Sequence, residues 1–171
     1  MQNYFEIFSL EPNFNIDLIK LELAYQQKVA RFHPDNFATS SDKEKNFALQ
    51  NTSLINTAYD TLKSALLRAT YLLELDGINA FDEKDTQMDV DFLMSQIELR
   101  EELEAVESSQ DELELDNFIE KISSKIKQNI ANIDKEFNAT KDKNQIKNMV
   151  RELKFYEQLN LHAKQLMDEW I

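Results

Sequence analysis

A chain of 171 residues with one glycine and two prolines has few ways to reverse direction other than at the ends of helices. Glycine and proline supply the backbone geometries of tight turns, and a β-protein of this length needs many of them. The fold is therefore expected to be all-α, and the periodicity agrees. No long window alternates apolar and polar residues, whereas apolar residues recur every three or four positions along most of the chain. Hydrophobic residues make up 42% of the chain, which suits folded cores in spite of 30% charged residues.

Pro34 marks the most informative point. Ahead of it, Leu18, Leu21, Tyr25, Val29 and Phe32 form one helical stripe, with Lys20, Gln27, Lys28 and Arg31 on the other side of the axis. Pro34 has no amide hydrogen to donate and pushes His33 into extended geometry, so the helix ends there. A second helix starts at Ser41-Asp42-Lys43-Glu44, a capping-box sequence. Its expected buried side is Phe47, Leu54, Ile55, Ala58, Tyr59 and Leu62. The two helices form an antiparallel hairpin tipped by His33-Pro34-Asp35, a polar tripeptide that neither helix needs for packing.

The sole glycine, Gly77, follows a leucine-rich stretch at the place where a left-handed helix cap is expected. Residues 78–88 lack sustained periodicity and read as a linker, which divides the chain into residues 1–76, a linker 77–88 and residues 89–171. The last part carries three stripes. Phe92, Leu99, Leu103 and Val106 form the first; Leu115, Ile119, Ile122, Ile126, Ile130, Ile133 and Phe137 form the second; Ile146, Met149, Val150, Leu153, Tyr156, Met167 and Trp170 form the third. A three-helix antiparallel bundle buries all three, with connections near Ser108-Ser109 and Asn138–Lys143.

A second apolar set on the first bundle helix does not point into that core. Leu93, Met94, Ile97, Glu98 and Glu101 lie roughly opposite Phe92 and Leu103 at 100° per residue. Apolar residues ringed by carboxylates suit a partner; a wide buried arc facing the third helix fits the same pattern. Phe155 lies opposite Ile146 and Leu153 by the same rule, which predicts that it is exposed.

The net charge of −13 weighs against nucleic acid and anionic membrane surfaces, which call for clustered Lys and Arg. Between Asp89 and Glu120 the only base is Arg100. No apolar run reaches membrane-spanning length, and the first residues lack the basic and hydrophobic regions of a secretory signal. The absence of cysteine suits a reducing compartment, so a bacterial cytoplasmic location is expected. With His33 and His162 as the only imidazoles and no calcium-loop pattern, neither a metal nor a cofactor is expected. His33 and Asp35 could be imagined as an acid–base pair, but a hydrophilic loop tip offers no substrate pocket.

A hairpin tipped by His-Pro-Asp resembles a J-domain. In order along the chain, Tyr4-Phe5-Glu6-Ile7-Phe8-Ser9-Leu10, His33-Pro34-Asp35-Asn36-Phe37-Ala38, Ile55-Asn56-Thr57-Ala58-Tyr59-Asp60-Thr61-Leu62, Arg68-Ala69-Thr70-Tyr71-Leu72-Leu73, Phe92-Leu93-Met94 and Glu98-Leu99-Arg100-Glu101-Glu102-Leu103 resemble the HscB family of iron-sulfur assembly co-chaperones. This resemblance spans essentially the whole chain. It implies an L-shaped, non-enzymatic co-chaperone with an N-terminal J-domain and a C-terminal three-helix bundle. The J-domain would stimulate the ATPase of a DnaK-type chaperone, HscA, and the bundle would deliver the scaffold IscU to it. It implies chaperone contacts through Lys28, Arg31, His33, Pro34 and Asp35, and scaffold contacts through Leu93, Met94, Ile97, Glu98, Glu101 and Phe155. Three positions depart from the family pattern: Asn36 replaces a frequent basic residue, Ala65 a frequent proline and Ala105 an acidic residue. A general J-type co-chaperone for unfolded clients is the main alternative, and a purely structural helical adaptor is a third.

Overall fold

The computed structural model describes residues 2–87, 89–139 and 142–171. Met88 of the expected linker, and Thr140 and Lys141 of the expected last connection, lie outside the described residues. Helices α1 (Tyr4–Ile7), α2 (Leu18–Arg31), α3 (Asp42–Lys63), α4 (Ala65–Leu75), α5 (Val90–Ser109), α6 (Glu112–Ala139) and α7 (Lys143–Trp170) follow one another, with a short 3-10 turn at Pro34–Phe37 and no strand among the described residues. By backbone proximity the chain divides into two compact units, Met1–Leu72 and Leu73–Ile171, with the division inside α4.

In the first unit the α2–α3 hairpin closes on α1. Asn3 and Glu6 cap α1 reciprocally, Ser41 and Glu44 do the same for α3, and the Asp17 carboxylate accepts from the amides of Ile19 and Lys20 at the start of α2. Phe5, Ile7, Phe8, Leu21, Ile55, Ala58 and Leu62 form the core. Tyr25 ties the two hairpin helices together by stacking on Tyr59 at 3.9 Å and donating its hydroxyl to Asn56 at 2.8 Å. The buried Arg68 donates to the Leu62 carbonyl at 2.7 Å and lies over the Phe14 ring, which fixes the α3–α4 corner.

Three expected core residues of this unit are exposed instead: Leu18, Phe47 and Leu54. Leu54 and Ile55 are adjacent and so 100° apart on the helix; Ile55 takes the core and turns Leu54 outward. Leu18 is the first residue of α2, where the stripe has no neighbour to meet. Phe47 touches the hairpin only by an edge-on contact with Phe32, at 6.3 Å between ring centres.

Gly77 ends α4 with φ +78°. The Ile78 amide donates to the Leu73 carbonyl and the Gly77 amide to the Glu74 carbonyl, which is the Schellman arrangement. A Cβ at Gly77 would meet nothing within 4 Å, so only the backbone angle calls for glycine there. Residues 78–87 form no helix, but they are fastened to α7. Arg151 donates to the carbonyls of Ala80, at 2.7 Å, and Gln87, at 3.1 Å, and Asp85 bridges Arg151 and Lys147.

Helices α5, α6 and α7 form the expected bundle, and Phe92, Leu99, Leu103, Val106, Leu115, Phe118 and Ile122 meet Tyr156, Leu159 and Ala163 in its core. Gln110, at φ +53°, reverses the chain after α5, and Asp111 caps α6.

Candidate functional site

The hairpin tip is built by its own side chains. The His33 Nδ1 accepts the Asp35 amide at 3.2 Å, so the imidazole caps the 3-10 turn in the way an aspartate or asparagine would. The Asn36 amide donates back to the Ala30 carbonyl at 2.9 Å and closes the C-terminus of α2, where Lys28 and Arg31 sit in the last turn. With the turn held from both sides, the Asp35 side chain is 90% exposed and the His33 side chain 55%. The His33 Nδ1 lone pair is taken by the bond from the Asp35 amide, and both side chains face solvent. Both capping roles escaped the sequence reading, which treated His33 as unnecessary to the turn and Asn36 only as a missing charge.

Beside the tip, Phe32, Pro34, Phe37, Ala38, Ala48 and Leu49 line an apolar cavity of about 380 Å³. Phe47 and Leu49 are exposed on the same stretch of α3. Hydropathy alone could not find them, since an exposed aromatic and a core aromatic look the same in sequence.

In the second unit, α5 exposes Leu93, Met94 and Ile97, with the exposed carboxylates Glu98 and Glu101 beside them. These five residues share one face, as expected. Phe155 does not belong to that exposed face. It is 6% exposed, meets Phe92 edge-on at 5.9 Å, and is covered by the Arg100 guanidinium 5.3 Å from its ring centre. The angular rule failed because α7 packs against two helices. Ile146, Val150 and Leu153 occupy one buried arc and Phe155 and Leu159 a second, so the residue opposite the first arc is covered by α5.

Polar groups also enter the bundle. The buried Asn129 donates to Glu152 at 3.3 Å, and its Oδ1 has no partner among the described residues. Burial, and then the Asp89 carboxylate, raise the Glu152 carboxyl above its ordinary range, opposed by Asn129 and Lys125. Asp85 is held low, chiefly by the hydrogen bond from Lys147 and then by the Gln87 amide. Among the described residues no group of acidic or histidine side chains could hold a metal ion, and no helix is long and apolar enough to cross a membrane.

Residues 88–164 match the family described as "HSCB C-terminal oligomerisation domain". The Co-chaperone protein HscB homolog of Vibrio vulnificus (strain YJ016) is 41% identical over 158 residues, 92% of each chain. That of Aliivibrio fischeri (strain MJ11) is 39% identical over 98% of each. Among solved structures, chaperone HscB from Vibrio cholerae superposes with a TM-score of 0.87 at 37% identity, over 99% of this chain and 100% of that one. The human co-chaperone protein HscB superposes at 0.89 with 28% identity, over 96% and 82%.

Proposed function

This chain belongs to the HscB family of co-chaperones, and from that premise we propose that it stimulates ATP hydrolysis by a DnaK-type chaperone, HscA, and delivers the iron-sulfur scaffold IscU to it in the bacterial cytoplasm. The observation that carries this reading is the tip of the hairpin. His33, Pro34 and Asp35 are fixed by two local caps, yet among the described residues the Asp35 carboxylate has only a 3.6 Å approach to His33. A preorganised, exposed carboxylate beside the basic Lys28 and Arg31 suits a chaperone surface that offers both cationic and acidic groups. Phe47, Leu49 and the adjoining apolar cavity extend that docking face.

Residues 1–76 act on the chaperone, and residues 89–171, joined through 77–88, carry the scaffold on Leu93, Met94, Ile97, Glu98 and Glu101. Phe155 supports that face from beneath rather than touching the partner directly. No bond is made or broken in this chain, since hydrolysis takes place in the partner. The co-chaperone works by binding one chaperone state better than another, and by holding both partners it raises their concentration at each other. Steady-state ATPase of HscA with the full chain, with and without IscU, tests the reading. Stimulation by the chain alone, increased more than additively by IscU, is expected. Equal stimulation with unrelated unfolded clients and none from IscU would refute it.

A further inference from the structure

Asn36 follows the exposed Asp35 directly, and its side-chain amide reaches back over the turn to the Ala30 carbonyl at 2.9 Å and the Arg31 carbonyl at 3.4 Å. Both carbonyls belong to the last turn of α2, where few backbone donors are left to meet them; the His33 amide reaches Ala30 only at 3.4 Å. The backbone amide of Asn36 donates to the His33 carbonyl at 3.0 Å, and that of Asp35 to the His33 Nδ1 at 3.2 Å. Asp35 is therefore bracketed. One bond fixes its own amide, and the next residue is tied to the helix turn that carries Lys28 and Arg31.

An uncharged side chain adds nothing to long-range attraction, and the amide of Asn36 is directed at its own helix rather than outward. What it contributes is geometry. Without the tie the turn would sample other arrangements, and only molecules with Asp35 correctly set against Lys28 and Arg31 could dock at once. The apparent dissociation constant then rises as the inverse of that competent fraction.

We propose that Asn36 is a positioning residue for chaperone stimulation: by tying the tip to the last turn of α2 it sets Asp35 relative to Lys28 and Arg31, and it does so without touching the chaperone. This deepens the chaperone reading and rests on it. Because the tie joins neutral groups within one chain, its loss weakens docking by the same factor at low and high salt, whereas loss of a docking charge is felt mainly at low salt. The docked complex restores the turn. The concentration that gives half-maximal stimulation therefore changes, and the maximum does not.

Steady-state ATPase of HscA, titrated with the full chain at low and at high salt, tests this together with nuclear magnetic resonance of the free chain. Asn36→Ala is expected to raise the half-stimulating concentration about two- to tenfold at both salts, the range one hydrogen bond commands, with maximal rate and melting temperature little changed. In the free variant the heteronuclear Overhauser effects at the Asp35, Asn36 and Phe37 amides are expected to fall below wild type, as the turn loosens. An unchanged half-stimulating concentration, or a loss confined to the maximal rate, would overturn the positioning role. So would a raised concentration in a variant whose turn keeps wild-type order, or a factor that shrinks as salt rises, since either would make Asn36 a contact. A wild-type chain that fails to stimulate HscA would overturn the chaperone reading and this role with it.

Discussion

Phe155→Ala separates a structural role from a surface role. Truncating a phenylalanine in a core costs about 3–5 kcal/mol, a sum of lost transfer energy and the cavity left behind. Phe155 is 6% exposed, and the change would also remove its edge-on contact with Phe92 and the surface on which Arg100 rests. The Arg100 stem is flexible and can settle into part of the space, so the expected loss is about 3 kcal/mol, in the lower part of that range. For a chain of this size that is a fall of roughly 6–12 °C in melting temperature. Met94 is 56% exposed, and Met94→Ala is expected to cost less than about 1 kcal/mol. Urea denaturation followed by far-ultraviolet circular dichroism measures both. In binding, the order reverses: at temperatures where both variants are folded, Met94→Ala should lose more scaffold affinity than Phe155→Ala. A Phe155→Ala protein that melts like wild type would refute the placement of this ring in the bundle.

Four further outcomes follow from local geometry. A carboxyl raised on folding, as Glu152 is, lends stability that is full below its unfolded pKa and lost as pH rises through its folded one; Glu152→Gln should therefore raise the melting temperature at pH 7 and converge with wild type in acid. Asp85 has the opposite sign, since its lowered pKa gives stability above the unfolded value that is lost as pH falls through the folded one, so Asp85→Asn should lower the melting temperature at pH 7 and converge in acid. His33→Asn keeps a side-chain acceptor for the Asp35 amide whereas His33→Ala does not; amide exchange at Asp35 should stay near wild type in the first and speed up in the second, while both lose chaperone stimulation. Ser9 sits at φ +55°, a left-handed conformation that costs a side chain about 1–2 kcal/mol, and Ser9→Gly should stabilise the chain by up to about 1 kcal/mol in urea titration after glycine's own entropy is subtracted.

The helices were readable because their information is local. The spacing of Leu21, Val29 and Phe32, the caps at Ser41 and Gly77, and the three bundle stripes depend only on neighbours within a few turns. Leu93, Met94 and Ile97 were half readable: periodicity set them opposite Phe92 and Leu103, but the width of the buried arc, which decides their exposure, is fixed by the neighbouring helices. Phe155 was not, because its burial depends on which second helix α7 meets, and no periodicity within α7 records that. The bonds from Arg151 to Ala80 and Gln87 left no trace either, since they join a side chain to backbone carbonyls more than sixty residues away. The capping role of His33 escaped because histidine is not among the usual capping residues, although its Nδ1 stands in the same relation to the chain as an aspartate oxygen.

The central claim is that the exposed Asp35 carboxylate couples this chain to ATP hydrolysis in a chaperone. Single-turnover hydrolysis by HscA, with IscU present and the full chain either wild type or Asp35→Asn, tests it most directly. The variant is expected to keep wild-type helicity, melting temperature and scaffold affinity while losing nearly all acceleration of hydrolysis. Acceleration that survives in a folded Asp35→Asn protein would contradict it.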